Sequence, residues 1–310
     1  MSSTLLDLRR SGLGGTDASA VLGMNPWRTP LQVWSEKRGL VPPQETTEAM
    51  RWGLLLEPVI AERYTEETGR KLIAPENVYH HPKHDFLLAT PDRLCTSERR
   101  GLEIKTASSH TSHEWGRPRS DEVPRHYLIQ CMHYMAVLGY RVWDLAVLIG
   151  GNDFRIYTIT WDQSAADAMI EQEVAWWQRH MIGGEEPAAV ADDNDFLARR
   201  YPRDTMPELK AASMEAYGMG VELKLAMADR DDAIARLDAA QASLKALIGD
   251  GAGIEGDGWR VTWKATKPRE SVDWEAVART LADENAVMQA AQEHTTTKPG
   301  PRVFRYSEDK

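Results

Sequence analysis

Cysteine is nearly absent from this 310-residue chain: Cys95 and Cys131 are the only two. Two thiols cannot build a disulfide scaffold, a four-thiolate zinc site or a four-cysteine iron–sulfur cluster. Long apolar runs are missing as well. The strongest is Leu145–Ile149, cut off from Val142-Trp143 by Asp144, far short of the roughly 20 residues that a membrane span needs. Met1–Arg10 has no apolar segment with a small-residue cleavage site, so no secretory signal is read there. A reducing cytoplasm, with no membrane partner, is the expected setting. There is no Gly-x-Ser-x-Gly elbow and no Gly-Lys-Ser/Thr loop, which excludes the esterase and ATPase chemistries built on them. Asp192-Asp193-Asn194-Asp195 lacks the central glycine and final glutamate of a calcium loop. His80-His81-x-x-His84 and His110-x-x-His113 have no cysteine or acid to complete a metal set and read as solvent-facing. No internal repeat of 20–50 residues is present.

An excess of positive charge is also lacking, since the net charge is −10. Its distribution matters more than its sum. Residues 1–150 hold 18 Lys+Arg against 18 Asp+Glu, so the whole deficit lies in residues 151–310. A neutral first half can carry a local basic channel for nucleic acid, and the acids of a metal site would themselves add negative charge.

What is present is a globular composition, 42% hydrophobic and 27% charged. Thr16 is expected to cap a short helix ending near Gly23. Thr29-Pro30 opens a second helix that Gly39 closes. Trp52, Leu55, Leu56, Val59, Ile60 and Tyr64 share one face of a longer helix stopped by Gly69, with a kink expected where Pro58 removes a hydrogen bond. Short strands follow at Phe86–Thr90, Asp92–Thr96 and Gly101–Thr106, the last two joined as a hairpin through the polar Ser97–Arg100 stretch. Pro124 starts a helix carrying Tyr127, Cys131, Tyr134, Met135 and Leu138 on one face. Gly150-Gly151-Asn152-Asp153 turns a second hairpin between Val142–Ile149 and Phe154–Trp161. A helix from about Gln163 to Met181 completes this α/β unit. Beyond it, 183–205 reads as a linker or ordered loop, and 206–250 as a helical arm resembling an imperfect coiled coil, with Arg230 and Gln241 in its seam. Residues 251–310 read as a small tail: a strand at Trp259–Lys264, a helix near Asp273–Glu293 and a strand at Arg302–Tyr306.

The segment with chemistry in it is Thr90-Pro91-Asp92 followed by Gly101-Leu102-Glu103-Ile104-Lys105. Residues 103 and 105 project to one side of a strand, while Leu102 and Ile104 project to the other. If the hairpin pairs Leu94 with Glu103, Asp92 lies opposite Lys105 and the three charged side chains converge. Two carboxylates suit Mg²⁺, which takes hard oxygen ligands at about 2.0–2.1 Å and is often held by one or two carboxylates with substrate phosphate and water. An ammonium beside them can orient an attacking water or help deprotonate it, which is phosphodiester hydrolysis chemistry.

Four further segments occur in order around this hairpin: Arg9-Arg10-Ser11-Gly12-Leu13-Gly14-Gly15-Thr16-Asp17-Ala18-Ser19 leading into Leu22-Gly23-Met24-Asn25-Pro26-Trp27; Trp52-Gly53 through Glu57-Pro58; Thr90-Pro91-Asp92 itself; and Val123-Pro124-x-x-Tyr127-x-x-Gln130-x-x-His133-Tyr134. With them, residues 5–165 resemble the PD-(D/E)xK nucleases of the lambda exonuclease and YqaJ-like viral recombinase branch. The resemblance implies a restriction-endonuclease-like core, a central mixed β-sheet flanked by helices, over residues 1–182. It implies that Asp92, Glu103 and the backbone carbonyl of Ile104 bind the metal, Mg²⁺ with Mn²⁺ as a substitute. Lys105 would serve the water, and Glu57 would contact the metal directly or through water. Gln130 and Tyr134 would line the site. Arg10, with Arg9 as the competing candidate, would receive a terminal 5′-phosphate, and Thr16 and Ser19 would bind phosphate through their hydroxyls and helix N-terminal amides. No role is read for Asp17.

The activity so implied is digestion of one strand of linear duplex DNA from its 5′ end, leaving a 3′ single strand for a single-strand annealing protein in phage-type recombination. A ring-like homo-oligomer, trimer or tetramer, and a phage or prophage origin within a bacterial cytoplasm go with it. The competing readings are a sequence-nonspecific endonuclease of the same superfamily and a non-catalytic DNA-binding or scaffold protein.

Overall fold

The computed structural model describes residues 10–42, 46–206, 208–266, 271, 273–281 and 283–295. They fall into two compact units, Met1–Pro202 and Arg203–Lys310. The first is organised by a five-stranded sheet of order β1-β4-β5-β6-β7, in which β1 is Leu72–Ile73, β4 Arg93–Cys95, β5 Arg100–Ala107, β6 Val142–Ile149 and β7 Asp153–Thr160. Only the β5–β6 pair is parallel; the other neighbours are antiparallel. A separate two-stranded ladder joins β2 (Tyr79–His80) to β3 (Leu88–Ala89). This is the expected α/β arrangement, a central mixed sheet flanked by helices.

Alternation along β5 and β6 assigns the two faces. Leu102, Ile104 and Ala146 pack with Ile60, Ala61 and Tyr64 of α3 (Glu48–Thr68). Trp143, Leu145 and Val147 point the other way, into the larger core with α1 (Gly15–Val21), α2 (Pro30–Lys37), α4 (Arg125–Leu138) and α5 (Gln163–Trp176). Each fully buried apolar side chain of this kind contributes about 1.5–3 kcal/mol. Gly101 makes the β5–β6 pairing possible, since a Cβ there would stand 2.3 Å from the Trp143 ring. Two polar clusters hold the helices in place, one against the central sheet and one against β3. Asp144, on the α3 face, accepts from Tyr64 Oη at 2.5 Å, Arg100 Nη1 at 2.7 Å and Thr158 Oγ1 at 2.8 Å. On the other face buried His133 of α4 meets Glu173 of α5 through Nδ1 at 3.0 Å and the Leu88 carbonyl through Nε2 at 2.9 Å. Both ring nitrogens therefore face acceptors. Burial alone would lower the imidazole's pKa, but Glu173 overrides it and raises it.

Several expectations change. Thr16 does not cap α1; it is the second residue of the helix, and Gly14 is the cap. Only the C-terminal part of the apolar face of α3 reaches the sheet: Ile60 and Tyr64 are buried, whereas Trp52, Leu55 and Val59 are exposed. The hairpin register is Arg93 with Leu102 and Leu94 with Gly101, not Leu94 with Glu103. The turn is tighter than the polar stretch suggests, because β5 already starts at Arg100, whose N–H closes on the Glu98 carbonyl at 2.9 Å. Within 183–205, residues Ala191–Asp193 form a 3₁₀ turn and Asn194–Arg200 form α6. Phe196 enters the main core, and buried Asp193 accepts from Thr29 Oγ1 at 2.6 Å.

In the second unit, Met214–Ile248 is a 35-residue helix, α7, on which Ile248 is the only buried residue. The stretch before Trp259 contains a further strand: β8 (Gly253–Gly256) pairs with β9 (Trp259–Thr262). The expected 273–293 helix is two helices, α8 (Trp274–Leu281) and α9 (Glu284–His294), because Asp283 caps the second, accepting from the N–H groups of Asn285 and Ala286 at 3.0 Å. The strand expected at Arg302–Tyr306 lies outside the described residues. Among the described residues, no helix is long and apolar enough to cross a membrane.

Candidate active site

Strand β5 presents Glu103 and Lys105 on the face opposite Leu102 and Ile104, as alternation requires. Continuing the hairpin register one pair beyond Arg93–Leu102 sets Asp92 opposite Glu103 rather than Lys105. A two-residue shift keeps the same faces, whereas a one-residue slip would have sent Asp92 to the other side. Asp92 is fixed there by the Ile104 N–H, which donates to its Oδ2 at 2.8 Å.

Glu103 is only 2% exposed. Its Oε1 accepts from Lys105 Nζ at 2.5 Å and from Gln130 Nε2 at 2.6 Å. Gln130 also donates to the Tyr134 hydroxyl at 3.2 Å, so the helix pair one turn apart braces the carboxylate. Glu103 Oε2 is buried and has no hydrogen-bond partner among the described residues. Burial, then the Glu103 charge, pushes the Asp92 carboxyl well above its ordinary value against the pull of Lys105. Burial likewise raises Glu103, with Lys105 opposing and Glu57 adding to the rise. Burial alone would lower Lys105, but Glu103 and Asp92 outweigh it and raise its pKa. Two carboxylates sharing one ammonium, with an orphaned hard oxygen between low-dielectric walls, is a donor set that a divalent cation fits. No group of three or more His, Cys, Asp or Glu side chains placed to hold a metal occurs among the described residues. The fit therefore rests on two acids, a number Mg²⁺ accepts when phosphate and water complete its shell.

Glu57 approaches from the α3 side and is paired with Arg93, whose Nη1 stands 2.5 Å from its Oε1. Arg93 also donates to the Asp92 carbonyl at 2.6 Å. Sequence reasoning gives Arg93 no role, and no motif marks it. It places Tyr127 only on a helix face and in a family motif, yet the Tyr127 ring lies 5.0 Å from Lys105 Nζ. His126, beside it, is lowered to about 4 by burial and by the Lys105 charge, so it stays neutral near pH 7.

The Gly12–Ser19 turn is brought against this cluster by Gly15, where a Cβ would come within 2.6 Å of the Tyr134 ring and 2.9 Å of Gln130. Asp17 holds that turn together. Its Oδ2 accepts from the Gly14 N–H at 3.0 Å and from Lys37 Nζ at 2.7 Å, and its Oδ1 from Arg28 Nη1 at 2.9 Å. Lys37 also donates to the Gly12 carbonyl at 2.5 Å. Pairing between residues 17, 28 and 37 has no local signature, which is why the sequence assigns Asp17 no role. Thr16 and Arg10 are exposed. Ser19 corrects an expectation: it is 1% exposed, and its hydroxyl lies between the Thr16 carbonyl and Asn25 Nδ2, so it ties down the Asn25 loop instead of meeting a phosphate. Arg9 lies outside the described residues.

Residues 5–141 match the family described as the YqaJ-like viral recombinase domain. The uncharacterized protein YqaJ of Bacillus subtilis (strain 168) is 38% identical over 198 residues, 62% of this chain and 61% of that protein. The chain thus spans about three fifths of the length of that curated relative. Among solved structures, the alkaline exonuclease LHK-Exo from Laribacter hongkongensis is 18% identical with a TM-score of 0.48, covering 59% of this chain and 94% of that one. A phage related exonuclease from Haemophilus somnus 129PT is 12% identical with a TM-score of 0.44, covering 56% and 96%.

The Asp17 network yields a pH prediction. Burial alone would raise this carboxyl, but Lys37 and Arg28 outweigh it and hold it well below 3.8. A depressed folded-state pKa gives stability that is present above the unfolded value and lost as pH falls below it. Asp17→Asn is therefore expected to cost on the order of 3–5 kcal/mol at neutral pH, the scale for breaking a buried ion pair. The gap to the parent should close as pH drops below about 4. Urea unfolding at a series of pH values measures it; a gap independent of pH contradicts the assignment.

Proposed function

We propose, from the match of residues 5–141 to the YqaJ-like viral recombinase domain, that the chain is a Mg²⁺-dependent exonuclease of the lambda exonuclease/YqaJ-like branch acting on linear duplex DNA. It removes nucleotides from the 5′ end of one strand and leaves a 3′ single strand for an annealing protein, working as a ring-like homo-oligomer. The observation that carries the reading is the convergence of Asp92, Glu103 and Lys105 with Gln130 at one buried strand edge.

Asp92, Glu103 and the Ile104 carbonyl are the residues that would hold the metal, with Mn²⁺ as a substitute and Glu57 reaching it directly or through water. Bound there, the ion would polarise the scissile phosphate and offset the charge that develops on it. The chain's own groups do the rest. Gln130 fixes the Glu103 carboxylate, and Tyr134 fixes Gln130, so the acids are placed before substrate arrives. Lys105 supplies an ammonium at the same edge to orient the attacking water and face the developing negative charge. Arg10 and Thr16, exposed on the turn that Asp17 organises, receive the terminal 5′-phosphate, Arg10 through its planar fork of donors. Glu57, kept in place by Arg93, adds negative charge beside the acids and strengthens their demand for a cation.

The test is hydrolysis of linear duplex labelled separately at each end, with and without Mg²⁺, beside a covalently closed circle. The expected result is Mg²⁺-dependent release of mononucleotides from 5′ ends, survival of the 3′-labelled strand, and an intact circle. Lys105→Ala and Asp92→Ala should each lower the rate by about a thousandfold while duplex binding in Ca²⁺ persists. Cleavage of the circle would favour the endonuclease reading, and full activity of either variant would remove the mechanism. In the same assay, Arg10→Ala should bring the ratio of rates on 5′-phosphorylated and 5′-hydroxyl ends close to one; a parent protein indifferent to the phosphate contradicts that role.

A further inference from the structure

Trp27 is 65% exposed, although it sits on a pinned loop between α1 and α2. Asn25 Oδ1 accepts from the Trp27 N–H at 2.9 Å and the Arg28 N–H at 3.0 Å. The same side chain donates from Nδ2 to buried Ser19 at 3.0 Å. The backbone that carries the indole is therefore fixed, and the ring is held out from the core. Its neighbours are His126, at 4.6 Å between ring centroids and 81° between planes, and Tyr127 at 6.2 Å. Tyr127 in turn holds Lys105 Nζ over its ring. The indole thus stands one aromatic ring away from the ammonium of the proposed active site.

Two contacts of this kind cannot cover both faces of an indole that keeps 65% of its surface in water, so at least one face is open. A wide apolar face left in solvent on a rigid loop is unfavourable in the free protein, and a flat aromatic partner would remove the cost. The cleft on which Trp27 borders, about 340 Å³, is lined also by Asp192 and Asp195 and by Arg28, whose guanidinium is already paired with Asp17 and Glu36. Carboxylates repel a phosphate but not the π-face of a base, so the sugar–phosphate backbone belongs at Lys105 and a base at Trp27.

We propose that Trp27 is a stacking platform for an unpaired nucleobase of the strand whose phosphate is held at the Asp92–Lys105 edge. This rests on the reading of that edge as a phosphate site and adds how the separated strand is gripped without regard to sequence. Stacking of this type tolerates any base, because every base has a π-face.

The test measures binding of the intact protein to short 5′-phosphorylated single-stranded oligonucleotides in Ca²⁺. A single abasic residue is moved through the first positions, and the parent is compared with Trp27→Ala and Trp27→Phe. Trp27→Ala is expected to weaken binding about tenfold and Trp27→Phe to keep most of it, with unchanged melting of both variants. At one position the abasic lesion should cost the parent about tenfold and cost Trp27→Ala nothing further. Additive losses at every position, or parental affinity of Trp27→Ala for all oligonucleotides, overturn the proposal. So does Trp27→Ala that binds DNA normally but no longer retains a protein partner. Coupling between Trp27 and one base in a protein that lacks Mg²⁺-dependent hydrolysis would sink the nuclease reading and leave the platform standing; hydrolysis without coupling does the reverse.

Discussion

Two carboxylates buried side by side repel each other, and one ammonium cannot satisfy both. Glu103 and Asp92 are in that position, with the Lys105 ammonium on Glu103 Oε1 and, among the described residues, no hydrogen-bond partner on Glu103 Oε2. Such a cluster is unfavourable for folding, because buried charge is costly unless fully paired. The surrounding fold tolerates it by over-determining every member. Asp92 is tied to the β5 backbone, Glu103 to Gln130, Gln130 to Tyr134, and α4, which carries both, to β3 and α5 through His133. Strain of this kind concentrates where a ligand is expected to relieve it.

That dependence explains the small residues around the cluster. Gly15 lets the turn after Gly12 lie directly on Gln130 and Tyr134, and Gly101 lets β6 bring Trp143 across β5. A side chain at either place would push apart elements whose spacing sets the acids. Asp17, with Lys37 and Arg28, serves the same end on the far side of the turn.

Period-two alternation along residues 101–105 is enough to place Glu103 and Lys105 together and Leu102 and Ile104 in a core. The register of the hairpin is not readable from sequence, because it depends on where a tight turn begins; the outcome survives because the error is an even number of residues. Ser19 is misassigned since a hydroxyl in a helix gives no sign of whether it is buried. The face of α3 is over-read for a similar reason: helical periodicity marks which residues are collinear but not where the sheet beneath them ends, so Trp52, Leu55 and Val59 remain in solvent. Contacts between segments far apart in the chain, such as Arg93 with Glu57 and Asp193 with Thr29, have no local trace at all.

The resemblance and the family match both concern the first unit. The long α7 helix and the β8–β9 hairpin lie in the second unit, and the acid pair whose chemistry is proposed lies in the first. What that chemistry requires is a cation between Asp92 and Glu103. Calorimetric titration of Mn²⁺ into the intact protein, its Asp92→Asn form and its Glu103→Gln form tests this directly. Saturable binding by the parent, weakened at least about tenfold in both variants, is the predicted result; equal binding by all three would contradict it.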